Sequence, residues 1–453
     1  MAKYSKILGI IGAVVVIPTV LYTAKCRLWI DFDPAHHLRY YFSHPATLAP
    51  LAEAQIILPL EKSDLPDNKE GILQPARIVV DFSRDHGPVN YKILGLNVLG
   101  VHSPGEPGNP YSDFGAGLWD GKGHSAIQGP MDLAKEIGVS TLRFPGGCGT
   151  HSYDWKKTIE RDRTEFLFGV DEFMEIAGQL SAEPVFTLSY FTGGPEDAAN
   201  LVEYLNSFPD DRHPWALKRA EKGPAEPYGV RYFEVGNEVD HGDHKDIGAV
   251  SPQIYAADFL RYYEAIKKVD PQAQVGAVLY QDEWNKEVME IIRGKIDFGI
   301  VHIYPTPAWG KELETMPADE IFASSLAIAV LQNDFELKTL RALLREFAGR
   351  DVPILVTEFN GGFAQDHPAP YRHSLGNALV NAELIRILMD PVNGVRMAHH
   401  WNFINEYWGM AANGFKGDYK DLAKPYYKRP NFYAFDLYRH HFGDRLISAE
   451  IVS

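Results

Sequence analysis

The chain has 453 residues, with 44 Lys plus Arg against 60 Asp plus Glu, for a formal net charge of −16. That balance argues against a nucleic-acid backbone or an anionic membrane surface as the main partner. A hydrophobic content of 45% with 23% charged residues excludes a disordered chain. Two cysteines, Cys26 and Cys148, are too few for a disulfide framework or a cysteine-rich zinc site.

The first feature along the chain is Ile7–Ala24, which carries no charge; Lys3 and Lys6 precede it, and Lys25 and Arg27 follow. The run is long enough to cross a bilayer, and it also has the layout of a secretory signal. Tyr22-Thr23-Ala24 puts a large residue where a cleavage site wants a small one, which favours a retained anchor over a cleaved signal. Both readings export the rest of the chain, to the periplasm or the extracellular space; burial as a globular helix is the third. The expected organisation is a signal or membrane anchor over 1–30, a linker or irregular cover over 31–75, the main domain over 76–440, and a C-terminal strand over 441–453. The linker assignment rests on several prolines and no sustained period.

From Ala76 the pattern changes. A strand is expected at Ala76–Phe82, and strand-like runs then alternate with helical ones. The further strand candidates are Ile93–Leu99, Ser140–Phe144, Pro184–Ser189, Arg231–Val235, Val275–Tyr280, Phe298–Tyr304, Pro353–Phe359 and Val395–Asn402. Amphipathic helices are expected at Gly129–Ile137, Val170–Leu180, Pro195–Asn206, Pro252–Val269, Trp284–Arg293, Phe335–Ala348 and His373–Met389. Alternating βα units predict a parallel sheet. Eight of them in about 310 residues predict a closed (β/α)8 barrel, an α/β fold of the TIM-barrel type. No Gly-x-Gly-x-x-Gly follows the first strand, which speaks against a dinucleotide-binding domain.

In such a barrel the active site lies at the C-terminal ends of the strands. The fourth strand ends in Phe233-Glu234-Val235-Gly236-Asn237-Glu238, and the seventh in Val356-Thr357-Glu358-Phe359. Two carboxylates facing each other across a barrel mouth are what glycoside cleavage needs: one acid to protonate the leaving oxygen, one carboxylate to attack the anomeric carbon. An aromatic content of 12% suits sugar-stacking surfaces, though large cores use aromatics too.

Gly236-Asn237-Glu238 on the fourth strand with Glu358 on the seventh resembles glycoside hydrolase clan A. Within that clan, Leu142-Arg143-Phe144-Pro145-Gly146-Gly147, followed by Tyr153-Asp154-Trp155 and His302-Ile303-Tyr304, resembles the α-L-arabinofuranosidases of glycoside hydrolase family 51. The likeness runs from about Ala76 to the C-terminus, where Phe432–Val452 is similar to the end of that family's barrel and its return into a β-sandwich. It implies that Glu238 is the acid/base and Glu358 the nucleophile of a retaining, double-displacement hydrolase. It also implies that Asn237 holds the sugar 2-hydroxyl, and that Arg143, His302 and Tyr304 orient the nucleophile. Trp401, at the end of the eighth strand, is either a sugar platform or core. Two positions depart from the family: Cys148 stands where Asn is usual, and Asn97-Val98-Leu99-Gly100 where a Glu and a His are usual. The chain ends within a strand's length of the barrel, so Ala76–Phe82 and Arg445–Val452 are expected to form at most a small remnant sheet.

Asp240-His241-Gly242-Asp243-His244 has the density of a metal site, but a solvated loop is the expectation, with no metal and no cofactor. The expected partner is an oligo- or polysaccharide, with no nucleic acid, and with a membrane tether through residues 7–24. The alternatives to an arabinofuranosidase are a β-xylosidase or endo-glycosidase of a cell-surface polysaccharide, and a non-catalytic carbohydrate-binding barrel in polysaccharide assembly.

Overall fold

The computed structural model describes residues 77–452, apart from 100–116, 161–162, 165, 243–246, 309–310, 362–369 and 417. The run Ile7–Ala24, Cys26 and the linker 31–75 lie outside the described residues. Among those described, no helix is long and apolar enough to cross a membrane.

The parallel strands β1 (Gly95–Asn97), β2 (Thr141–Phe144), β3 (Glu183–Leu188), β4 (Tyr232–Val235), β5 (Gln274–Val278), β6 (Phe298–Ile303), β7 (Ile354–Phe359) and β8 (Val395–His400) close into a barrel in chain order. The seam closes where His399 and His400 of β8 pair with Gly95 and Leu96 of β1. Each strand read from the sequence is present. The first starts two residues late because the Asn90 side chain accepts from the Lys92 amide at 3.2 Å and winds Tyr91–Ile93 into a 3-10 turn.

The expected helices return too, several with their starts written in the sequence. Ser251 accepts from the Ile254 amide ahead of Pro252–Val269, and Ser374 accepts from the Asn377 amide ahead of Leu375–Met389. Four α-helices were not read from periodicity: Pro214–Ala220, Lys311–Thr315, Ala318–Ala327 and Pro430–His441. Two of them open on a proline, whose missing N–H and fixed φ suit a first turn.

Period-two alternation decides what each strand sends inward. Val185, Tyr232, Phe298, Ile300, Leu355 and Met397 pack together as an apolar layer. Two residues further along the same strands, on the same face, stand Thr187, Glu234, His302, Thr357 and His399. The barrel interior therefore changes from apolar to polar toward the C-terminal ends. The opposite strand faces carry rings such as Phe144, stacked on helical Phe173 with centroids 4.7 Å apart.

The chain ends form a separate small unit. Arg77–Pro88 pairs antiparallel with Arg445–Val452, in a register running from Arg77↔Val452 to Pro88↔Arg445 with two irregularities. This is the remnant sheet expected from the two chain ends, extended past Phe82.

Candidate active site

Glu358 is aimed by a break in strand pairing. Along β7, Leu355 and Thr357 share the inward face, so strict alternation would turn Glu358 outward. The register of β7 against β6 instead shifts between Val356 and Glu358: Val356 pairs with Val301, and Glu358 with His302. A bulge of this kind re-aims a side chain. Here it brings Glu358 onto the polar layer, where its side chain is 6% exposed. Arg143 Nη1 donates to its Oε1 at 2.8 Å and the Tyr304 hydroxyl to its Oε2 at 2.6 Å.

Glu238 reaches the same place from the loop after β4. Gly236 has φ +84° and Glu238 itself φ +44°, so the chain turns sharply through the left-handed region between them. The Glu238 side chain is 23% exposed, against 6% for Glu358. Its Oε1 lies 2.7 Å from His302 Nδ1, while His302 Nε2 lies 3.1 Å from Thr357 Oγ1. Burial works against the charged imidazole, but the charges of Glu358 and Glu238 outweigh it and raise the His302 pKa above its ordinary value. The histidine and Glu238 therefore stand within hydrogen-bonding, proton-sharing distance of each other.

Arg143, fully buried on β2, ties the site together. Its Nε donates to Glu234 Oε1, Nη1 to Asn97 Oδ1 at 3.1 Å as well as to Glu358, and Nη2 to Asn237 Oδ1 at 2.8 Å. Burial alone would lower the guanidinium pKa, yet Glu234 and Glu358 raise it. Asn97 in turn donates to the carbonyls of Thr357 at 2.9 Å and His399 at 3.2 Å, fastening β1 to β7 and β8. The departure Asn97 is thus a strut of the barrel mouth.

Trp401 follows β8 and lies over the Pro-Gly-Gly turn. A Cβ on Gly147 (φ +68°) would stand 2.4 Å from the indole Cη2, and one on Gly146 3.1 Å from Cζ3. The two glycines therefore let the indole approach, leaving the ring partly exposed at the rim of the site. Cys148, next in sequence, places Sγ 4.0 Å from Asn237 Nδ2. All seven residues singled out in the sequence, Arg143, Asn237, Glu238, His302, Tyr304, Glu358 and Trp401, thus gather at one end of the barrel.

One oxygen of each glutamate and a ring nitrogen of His302 all lie within 4.8 Å of one another, a spacing that three metal ligands also show. Both Glu358 oxygens already accept from Arg143 and Tyr304, and a cation there would sit against the guanidinium. The donor set suits a carboxylate satisfied by the protein better than one bound to a metal. Of the Asp240–His244 stretch, His241 Nδ1 lies 2.7 Å from Asp240 Oδ2; Asp243 and His244 lie outside the described residues.

Glu234, Thr187 and Thr357 belong to the site but had no role in the sequence reading. The available signal was a carboxylate in the middle of an otherwise apolar strand, Tyr232-Phe233-Glu234-Val235.

Residues 133–317 match the family model described as the alpha-L-arabinofuranosidase 1 domain. An exo-alpha-(1->6)-L-arabinofuranosidase of Bifidobacterium longum is 25% identical over 371 residues, covering 73% of this chain and 65% of that protein. A probable alpha-L-arabinofuranosidase C of Aspergillus fumigatus is 30% identical over 183 residues, 38% of this chain and 34% of that one. The chain thus spans about two thirds and one third of the length of these relatives. Among solved structures, the alpha-L-arabinofuranosidase of Thermotoga maritima in its arabinose complex superposes with a TM-score of 0.67 at 22% identity, covering 84% of this chain and 76% of that one.

Proposed function

We propose that the chain, which is similar over residues 133–317 to the alpha-L-arabinofuranosidase 1 domain, is a family 51-type retaining glycoside hydrolase that cleaves α-L-arabinofuranosyl bonds of oligo- or polysaccharides. The observation that carries the reading is the spacing of the two carboxylates: oxygens of Glu238 and Glu358 lie within 4.8 Å of each other. Retaining enzymes hold the pair about 5–5.5 Å apart, whereas inverting ones leave roughly 6.5–9.5 Å for a water.

In the first step Glu358 attacks the anomeric carbon as the glycosidic C–O bond breaks, and the proton held between His302 and Glu238 passes through Glu238 to the leaving oxygen. In the second step Glu238 takes a proton from water, the water oxygen bonds to the anomeric carbon, and Glu358 leaves. The family resemblance assigns Asn237, whose Oδ1 accepts from Arg143, to the sugar 2-hydroxyl, and we assign the partly exposed Trp401 to flank the sugar. The greater exposure of Glu238 suits the group that must meet the leaving group and then water. A binding module has no need for a carboxylate held by Arg and Tyr opposite a proton-sharing Glu–His pair.

Export through Ile7–Ala24 is part of the same proposal and rests on the sequence alone; finding the full-length protein in soluble cytosol on fractionation would contradict it.

The test is a panel of 4-nitrophenyl glycosides followed by proton NMR of the first-formed sugar. Hydrolysis of the α-L-arabinofuranoside with retained configuration is expected. Preference for the β-xyloside would move the assignment to that sugar, an inverted product would remove the double displacement, and inertness across panel and glycans would favour the binding barrel.

A further inference from the structure

We propose that Glu234 is a positioning residue for the nucleophile, acting through Arg143 so that one guanidinium orients Glu358 without cancelling its charge. The inference rests on the glycosidase reading above.

The starting point is a charge count in the polar layer. Arg143 is a single cation, wholly buried, and two carboxylates hydrogen-bond to it: Glu358 through Nη1 and Glu234 through Nε. A buried guanidinium facing one carboxylate forms a tight neutral pair, with the anion's electron density drawn toward the cation. That is a poor state for a group that must attack carbon. Glu234 sits between these outcomes. It takes the Nε edge of the fork, so Glu358 is left with one bond from Nη1 at 2.8 Å and cannot adopt the two-pronged pairing that Arg prefers. The cluster then sets one guanidinium against two carboxylates, so Arg143 is shared rather than committed to Glu358.

Glu234 itself is held so that it does not compete for substrate. It is fully buried, Thr187 donates its hydroxyl to the same Oε1 that Arg143 holds, and Oε2 is buried with no hydrogen-bond partner. The guanidinium plane is also fixed independently by Asn97 and Asn237, so Glu234 is not required merely to keep Arg143 in place. The other titratable groups facing this cluster are Glu238 from the loop after β4, His302 and Tyr304 from β6 and its exit, His399 from β8, and Tyr255 from the helix Pro252–Val269. Burial keeps Tyr255 and Tyr304 protonated and His399 neutral, so the carboxylates, Arg143 and the His302 pair set the local charge.

The test compares wild type with Glu234→Gln, which keeps the shape and removes the charge, and Glu234→Asp, which keeps the charge and shortens the arm. Circular dichroism and thermal melting report folding. Carbon-13 NMR of labelled glutamate carboxylates, with the Glu358 signal identified by its loss in Glu358→Gln, follows the nucleophile's titration without needing turnover. In Glu234→Gln the Glu358 midpoint is expected to fall by about one pH unit, because Arg143 now answers to one anion. The acid limb of kcat/KM should move with it, and kcat should drop on the order of 10²-fold with KM little changed. Glu234→Asp should leave the midpoint near the wild-type value and recover part of kcat. If both variants only lose thermal stability and the Glu358 midpoint stays put, Glu234 is structural and the proposal is overturned. If the midpoint moves but even wild type hydrolyses nothing in the glycoside panel, the coupling stands and the glycosidase reading is what has failed.

Discussion

The Tyr304 hydroxyl donates to Glu358 Oε2 at 2.6 Å. Burial, reinforced by the charge of Glu358 beside it, keeps that hydroxyl protonated far above the ordinary tyrosine range. It is therefore a fixed donor, and with Arg143 on the other oxygen it leaves the carboxylate one orientation. Removing the hydroxyl in Tyr304→Phe keeps the ring and frees the carboxylate to turn. We expect kcat to fall about 10- to 100-fold with KM within a factor of a few, since misaimed nucleophiles lose rate rather than binding. Steady-state kinetics on the 4-nitrophenyl arabinofuranoside decides it; an unchanged kcat would mean the contact is idle.

The unequal exposure of the two glutamates predicts separable roles. Glu358→Ala should lose several orders of magnitude on every substrate, because no group attacks. Glu238→Ala should still form the glycosyl-enzyme from a dinitrophenyl glycoside, whose leaving group scarcely needs a proton. That intermediate should accumulate, and azide, which needs no deprotonation, should restore turnover and yield a glycosyl azide of the substrate's configuration. Mass spectrometry of the trapped enzyme and NMR of the azide check both statements. Near-normal activity of either variant on a natural glycan would remove both assignments.

Stability should depend on pH through His399 and His400. Both are fully buried, and burial lowers each pKa from 6.5 to about 3. The sign follows from proton counting. Below about 6.5 the unfolded chain binds protons that the folded one refuses, so the stability these groups contribute is complete above that pH and is lost as pH falls toward about 3. Each contributes a slope of about 1.4 kcal/mol per pH unit in that window. His302 and His241, whose pKa values are raised, act in the opposite sense, so the clean readout is a difference between variants. Urea unfolding of wild type and His400→Asn at pH 7 and pH 5 should show the variant losing less stability on acidification, by roughly the slope of one histidine. Equal losses would show that His400 takes up its proton in the folded barrel.

Much of this was legible from sequence for a local reason. Strand and helix periods, the serines at Ser251 and Ser374, and the run Gly236-Asn237-Glu238 are all set by neighbours within a few residues, so the eight units and their order could be read directly. The ends of β4 and β7 could be named because a closed parallel barrel puts all its strand ends on one side. Of the helices missed, Pro214–Ala220 is short, and its start signal is a single proline.

The aim of the side chains could not be read the same way. Alternation along β7 places Glu358 on the wrong face, and only pairing with β6 and β8, whose registers both shift past Val356, inserts the irregularity that turns it inward. Alternation along β4 does put Glu234 on the face of Tyr232, but nothing within the strand says that this face is the interior. Barrel closure decides that, and with it the meeting of Asn97, Arg143, Glu234 and Glu358 around one guanidinium. Those residues are separated by 46 to 215 positions where Arg143 binds them. Local periodicity does not reach that far; the hydrogen bonds of a closed sheet do.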